Sequence, residues 1–214
     1  MRTRALPRCP TCGIFVGLCD CASLPRLPTR TEIVVVVHRF EAFKSSSTSK
    51  LAVRMLANAT LVVREGRVEP TPAPVGSYVL FPNAAAIPIE EARARGLMRL
   101  VVPDGNWPQA GKMARRDPLC AGLPTVALTS TRRSAYGLRK SQRPNALCTL
   151  EAIAEALRVL EGDEVPDAMH EAFAHWMHLS QQIRSGSHAQ RALPQALAAL
   201  ALDHERRKKS GEGR

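Results

Sequence analysis

The chain has 214 residues, 45% of them hydrophobic, and carries a formal net charge of +11 with an isoelectric point near 10.0. That length and composition exclude a disordered or fibrous chain and favour one main domain with appendages. No apolar run approaches the ~20 residues of a membrane span, which excludes a helical membrane protein. The surplus of Lys and Arg is spread well beyond the basic tail at 204–209 and points to a polyanion, foremost nucleic acid. Plain solubility charge is the alternative. The N-terminus has basic residues without an apolar core, so no secretory signal is expected and the cytoplasm is the default compartment.

In chain order, the first feature is Cys9, Cys12, Cys19 and Cys21 in the spacing C-x2-C-x6-C-x-C. Thiolates so spaced can share one tetrahedral ion, and Gly13 and Gly17 let the backbone turn between the pairs. The expected site is structural zinc; two disulfides are the alternative. Four thiolates leave no open coordination position, so the ion would hold the N-terminal segment rather than catalyse. Cys120 and Cys148 stand alone and read as ordinary.

Pro25 and Pro28 mark a linker. Residues 33–37, isoleucine followed by four valines, read as a central strand buried on both faces. It leads to His38, Glu41 and Lys44, and then to a polar cluster that caps a helix from about residue 48 to 58. His38 and Glu41 read equally as a site or as local hydrogen bonding at a helix start. Residues 77–83 are a second strand ending in a turn, and 89–95 a short helix closed by Gly96. A strand at 100–102 then delivers Asp104, Gly105 and Trp107 to one bend before a helix at 108–116 that carries Lys112. Another strand is expected at 125–129. This alternation predicts an α/β fold with a mostly parallel sheet, in which functional groups gather at the carboxyl ends of the strands.

The stretch 131–145 is a loop with several basic residues around Tyr136, Arg139 and Lys140, suited to phosphate contacts or to plain solvation. Leu150, Ile153, Leu157 and Leu160 recur at helical spacing, with Thr149 as expected N-cap and Glu151 in the first turn. After an acidic break at 162–166, a helix from Asp167 carries Phe173, Trp176, Met177 and Ile183 as core or partner packing, so the C-terminal helices offer a face for a second subunit. Residues 191–209 read as helical. The phosphate-cradle motifs G-x-G-x-x-G and G-x-x-x-x-G-K-[ST] are absent.

Taken together, these blocks resemble the DTW-domain family. The matching residues are the cysteine cluster; His38, Glu41, Lys44 and Thr48 after the first strand; Leu80-Phe81-Pro82; and Asp104 to Trp107 followed by Ala110, Lys112 and Met113. Tyr136, Arg139, Lys140, Pro144, Thr149 and Glu151 complete the set. The resemblance covers residues 9–160. It departs from the family pattern at Asn106, where threonine is usual, and at Ser47, where asparagine is usual.

The resemblance implies a SPOUT-like knotted parallel-sheet core at 31–162, an N-terminal zinc-binding segment at 1–30 and a C-terminal helical extension at 163–214. It implies a tRNA-uridine aminocarboxypropyltransferase that moves the 3-amino-3-carboxypropyl group of S-adenosylmethionine to uridine N3 and releases methylthioadenosine. Leu80, Phe81, Pro82, Val102, Pro103, Leu147, Cys148, Thr149 and Glu151 are then expected around the S-adenosylmethionine. His38, Glu41, Lys44, Thr48, Lys112, Tyr136, Arg139 and Lys140 are expected toward the tRNA. Uridine N3 needs to lose its proton before it attacks, and Asp104 is the expected base, its pKa raised by partial burial beside Trp107. Trp107 would stack on the flipped uracil or buttress the bend. A methyltransferase using the same donor and a non-catalytic, zinc-stabilised RNA-binding module are the rival readings.

Overall fold

The structure is a computed structural model; it describes residues 7–44, 46–64, 72–129, 134–137 and 146–184, with backbone alone for 182–184. Its strands are β1 (Glu32–His38), β2 (Ala59–Arg64), β3 (Ser77–Leu80), β4 (Ile87–Pro88), β5 (Arg99–Asp104) and β6 (Thr125–Ala127). The helices are α1 (Arg39–Ala42), α2 (Thr48–Met55), α3 (Ile89–Ala94), α4 (Trp107–Arg116), α5 (Thr149–Glu161) and α6 (Glu164–Arg184). The six strands form one sheet in the order β2-β1-β5-β3-β6-β4, and every pairing among them is parallel. The expected α/β class with a parallel sheet is therefore what the chain adopts.

The valine run of β1 is central because both of its faces are covered. Ile33, Val35 and Val37 point with Leu100 and Val102 into a core closed by Leu150, Ile153, Leu157 and Phe173 of α5 and α6. Val34 and Val36 point the other way, with Val79 and Val101, against Met113 and Ala114 of α4 and against Cys120. Period-2 alternation sends successive residues to opposite faces, so a strand flanked by two helical layers must be apolar throughout.

Several boundaries differ from the sequence expectation. β2 was not anticipated at all; its signal was Thr60, Leu61, Val62 and Val63, masked by Asn58 and the flanking charges. The helix beginning at Thr48 ends at Met55 rather than near 58, because Leu56 turns extended and Ala57 donates its N–H to Leu27 at 2.8 Å. Leu27, inside the expected linker, thus pairs with Leu56 as a short bridge. The acidic break shrinks to Gly162 and Asp163, since α6 already starts at Glu164. Pro166 is compatible with that start because first-turn N–H groups have no helical partner to lose. Phe173, Trp176 and Met177 are buried within the chain and belong to its own core. Residues 191–209 and most of the loop at 131–145 lie outside the described residues.

β5 holds the key irregularity. Its ladder to β3 runs only from Ser77↔Arg99 to Val79↔Val101, whereas its ladder to β1 continues to Val37↔Asp104. Pro103 has no N–H to donate and sits where β3 has already departed. The sheet therefore opens between β5 and β3 at its carboxyl end.

Candidate functional site

A cavity of about 500 Å³ fills that opening. Its walls come from the segments after four strands: Glu41, Lys44 and Ser46 after β1; Leu80, Phe81 and Pro82 at the end of β3; Val102 to Trp107 at the end of β5; Ala127 and Leu128 at the end of β6. Tyr136, Ala146, Leu147, Thr149 and Ala152 close the remaining side. A crevice outside the carboxyl ends of parallel strands, where neighbouring connections diverge, is the usual ligand site of open α/β sheets.

Asp104 stands at the centre of this arrangement. It is 9% exposed, and one of its carboxylate oxygens accepts a hydrogen bond from the Thr149 hydroxyl at 2.6 Å. That contact joins the end of β5 to the start of α5. Gly105 follows because a Cβ there would come within 2.9 Å of the Gln109 Cβ. Asn106 is then the N-cap of α4: its Oδ1 accepts from the Gln109 N–H at 2.9 Å, and Gln109 Oε1 accepts from the Asn106 N–H at 2.9 Å. This reciprocal capping box satisfies two otherwise orphaned donors. Trp107 begins the helix 38% exposed, its ring tilted against Phe81 at 5.9 Å between centroids. It lines the cavity mouth and is not part of either core.

The opposite wall is fastened by Glu151. Its carboxylate accepts from the Cys148 N–H at 2.8 Å, the Ala135 N–H at 2.7 Å and the Ser134 hydroxyl at 2.7 Å. Cys148, not Thr149, is the N-cap of α5, which places the Thr149 side chain in the first helical turn where it reaches Asp104. The clamp on residues 134–136 places Tyr136, whose hydroxyl donates to the Ser46 carbonyl at 2.8 Å. Burial pushes the Cys148 thiol well up, the Glu151 charge adds to it, and contacts with the Glu151 backbone and the Thr48 side chain pull partly the other way.

Of the residues singled out from sequence, Glu41, Lys44, Leu80, Phe81, Pro82, Val102, Pro103, Asp104, Trp107, Tyr136, Leu147 and Thr149 meet around this one cavity. His38, Thr48, Lys112, Cys148 and Glu151 do not line it. Thr48, Cys148 and Glu151 support its wall from behind. His38 packs its ring 5.4 Å from Phe40, and Lys112 lies on the exposed side of α4. Arg139 and Lys140 lie outside the described residues. Ser46, Asn106, Ala127, Leu128 and Ala146 line the cavity without having been singled out as site residues. Nothing in the one-dimensional pattern marks Ala127 or Leu128, because it does not say that β6 lies beside β3.

The four N-terminal cysteines form a second centre. Their Sγ atoms all lie within 4.8 Å of one another, with Cys9 to Cys21 at 3.7 Å and Cys12 to Cys19 at 3.6 Å. Among the described residues no disulfide joins them. A tetrahedron with metal–sulfur bonds of ~2.3 Å has edges of ~3.8 Å, so the donor set fits a zinc ion. Burial raises the Cys9 thiol, but the Cys12 and Thr11 backbone N–H groups and the Cys19 and Cys12 thiols outweigh it and bring it down to about 6. Burial pushes Cys12 up to about 12. The cluster is tied to the core through Trp176, whose indole N–H donates to the Cys12 carbonyl at 2.8 Å. Trp176 stacks on Phe173 at 5.9 Å and Phe173 on Tyr136 at 6.1 Å, an aromatic file from the cysteines to the cavity wall.

Comparison with known proteins bears on the whole of this arrangement. The DTW domain matches residues 6–181. The tRNA-uridine aminocarboxypropyltransferase 2 of Drosophila melanogaster is 30% identical over 168 residues, covering 72% of this chain and 66% of that protein. The tRNA-uridine aminocarboxypropyltransferase A of Arabidopsis thaliana is 26% identical, covering 72% of this chain and 73% of that protein. The chain thus spans just under two thirds of the fly protein's length. A solved structure, that of the SAM-dependent rRNA:acp-transferase Tsr3 from Vulcanisaeta distributa, aligns at 19% identity with a TM-score of 0.49, covering 81% of this chain and 88% of that chain. Among the described residues no helix is long and apolar enough to cross a membrane.

Proposed function

Since the chain belongs to the DTW-domain family, we propose that it transfers the 3-amino-3-carboxypropyl group of S-adenosylmethionine to N3 of a tRNA uridine, releasing methylthioadenosine. The observation that carries this reading is the meeting of Asp104, Thr149 and Trp107 with the family's strand-end residues on one cavity of about 500 Å³. That volume lies in the range of small-ligand sites.

In this reading residues 31–162 are the catalytic core, and the cysteine segment and α6 buttress it. Asp104 takes the N3 proton of uridine, and the Thr149 hydroxyl fixes the carboxylate's orientation for that transfer. S-adenosylmethionine supplies, when bound, a carbon made electrophilic by the neighbouring sulfonium. The N3 lone pair forms the new N–C bond while the C–S pair leaves with methylthioadenosine, so the proton and the electron pair both have a destination. The apolar wall of Leu80, Phe81, Val102 and Leu147 holds the adenosine and excludes water. Trp107, at the mouth, stacks on the flipped uracil. Lys44, held by Glu41 at 2.5 Å, stands where a carboxylate or phosphate would arrive. Cys9, Cys12, Cys19 and Cys21 hold a structural zinc ion, a role that the tetrahedral fit of their sulfur atoms supports.

The test is to incubate purified protein with unmodified tRNA and S-adenosylmethionine. Methylthioadenosine together with a modified uridine supports the proposal. Adenosylhomocysteine would replace it with methyl transfer, and neither product, with salt-sensitive tRNA binding retained, would leave a binding module. Nucleoside mass spectrometry of cells lacking the protein identifies the tRNA and the position.

A further inference from the structure

Beside the cavity the surface carries two exposed aromatic rings that the proposed chemistry does not use. Phe40 is 60% exposed and Phe43 80% exposed. They flank Glu41 and Lys44, which line the cavity, so both rings project from a segment one residue away from its rim. The alternation arises from α1: a four-residue helix turns Glu41 inward and Phe40 outward, and Phe43 follows at its C-cap, three residues on from Phe40. The patch is also basic. The Arg39 guanidinium lies 4.6 Å over the Phe40 ring, the His38 ring is tilted against Phe40 at 5.4 Å, and the Lys44 side chain is 53% exposed. Glu41, the acid within this run, is paired with Lys44.

We propose that Arg39, Phe40 and Phe43 form a stacking platform for unpaired RNA bases that flank the reacting uridine. Exposed aromatic rings interleaved with cations are what a single strand recognises, since every base has a face to stack and every nucleotide a phosphate to neutralise. The apolar area is too small for a stable dimer. Two phenylalanines supply roughly 300–500 Å² at most, against the ~800 Å² per partner of an ordinary interface. The net charge of +11 favours the same partner. A uridine extruded into the cavity leaves its neighbours unstacked, and a platform at the rim would repay part of that cost.

The inference rests on the RNA-modifying reading, and the experiment separates the two. Binding of a fluorescently labelled oligouridylate is measured by anisotropy for the wild-type protein, for the double variant Phe40→Ala/Phe43→Ala, and for Phe43→Trp. The double variant should lose about tenfold or more in affinity, Phe43→Trp should retain or improve it, and binding to a fully paired duplex of the same length should change little. Transfer to tRNA by the double variant should show a raised KM with an unchanged kcat. If wild type makes no transfer product, the enzymatic reading fails while the binding arm still tests the platform. Wild-type turnover with equal oligouridylate affinity in the double variant overturns the platform. A wild-type dimer that the double variant converts to monomer in sedimentation velocity overturns it in favour of self-association.

Discussion

Asn106, at the position where the family resemblance expects threonine, has a structural task that either side chain can perform. The residue's work is to cap α4, which needs a short side chain with an acceptor oxygen, and asparagine is at least as good an N-cap as threonine. Asn106→Thr should therefore leave the transfer rate and melting temperature nearly unchanged. Asn106→Ala, which removes the acceptor, should cost about 1 kcal/mol in denaturant unfolding. Asp104 is the contrasting case. Asp104→Asn keeps an acceptor for the Thr149 hydroxyl but removes the proposed base, so on that proposal turnover should fall by about 100-fold or more with tRNA binding and stability retained. Equal loss of binding would make Asp104 architectural. At Cys9, a thiol lowered from 9.0 to about 6 is mostly thiolate above pH 6 and protonated below it. In metal-stripped protein, alkylation followed by peptide mass spectrometry should find Cys9 modified with a midpoint near pH 6. Cys120, which burial raises to about 12, should stay unmodified at neutral pH.

Helix starts organise the elements around the cavity. α4 and α5 both begin at its edge, and each is fixed by a capping box, Asn106 with Gln109 and Cys148 with Glu151. The second box does more than cap, because Glu151 also gathers Ser134 and Ala135 and thereby sets Tyr136 in the wall. Glu151→Ala leaves two backbone N–H groups and a hydroxyl without that acceptor. It should destabilise the protein by about 3 kcal/mol, read as a shift in the denaturant midpoint, and should raise KM for both substrates. On the other side, Gly111 of α4 faces Phe81, where a Cβ would come within 3.2 Å of the ring. The closeness of helix and strand end there keeps Phe81 against Trp107.

Across the whole molecule, the cysteine centre and the cavity are joined by packing rather than by sequence proximity. Trp176 bonds the Cys12 carbonyl, and Phe173 carries the stack on to Tyr136, which bonds Ser46. Removing the proposed zinc with a chelator should therefore shift the fluorescence of Trp176, measured in Trp107→Phe protein so that a single indole reports, and added zinc should restore it. An unchanged spectrum would mean that the cysteine segment is held without the ion. At the same scale, binding of tRNA should weaken steeply with salt, as expected where Lys and Arg neutralise phosphates.

The fold class is legible in the residues alone, since an uninterrupted β-branched run followed by alternating strands and amphipathic helices has few solutions other than a parallel sheet covered on both faces. So are the cysteine centre, whose thiols are local, and the blocks that mark the family, because each is a contiguous string. The sequence by itself did not determine β2, whose short apolar run is indistinguishable from loop until β1 pairs with it. Nor did it determine which strand ends become neighbours. Sheet order brings Leu80 and Ala127 to the same cavity as Asp104 although their positions are far apart in the chain, and the β3–β5 ladder, which ends at Val101, leaves space beyond it. The roles of Cys148 and Thr149 exchanged for the same reason. A cap is defined by where the first helical hydrogen bond closes, and here Glu151, held by Ser134 and Ala135 while it accepts from the Cys148 N–H, settles that point one residue earlier than local propensity gives.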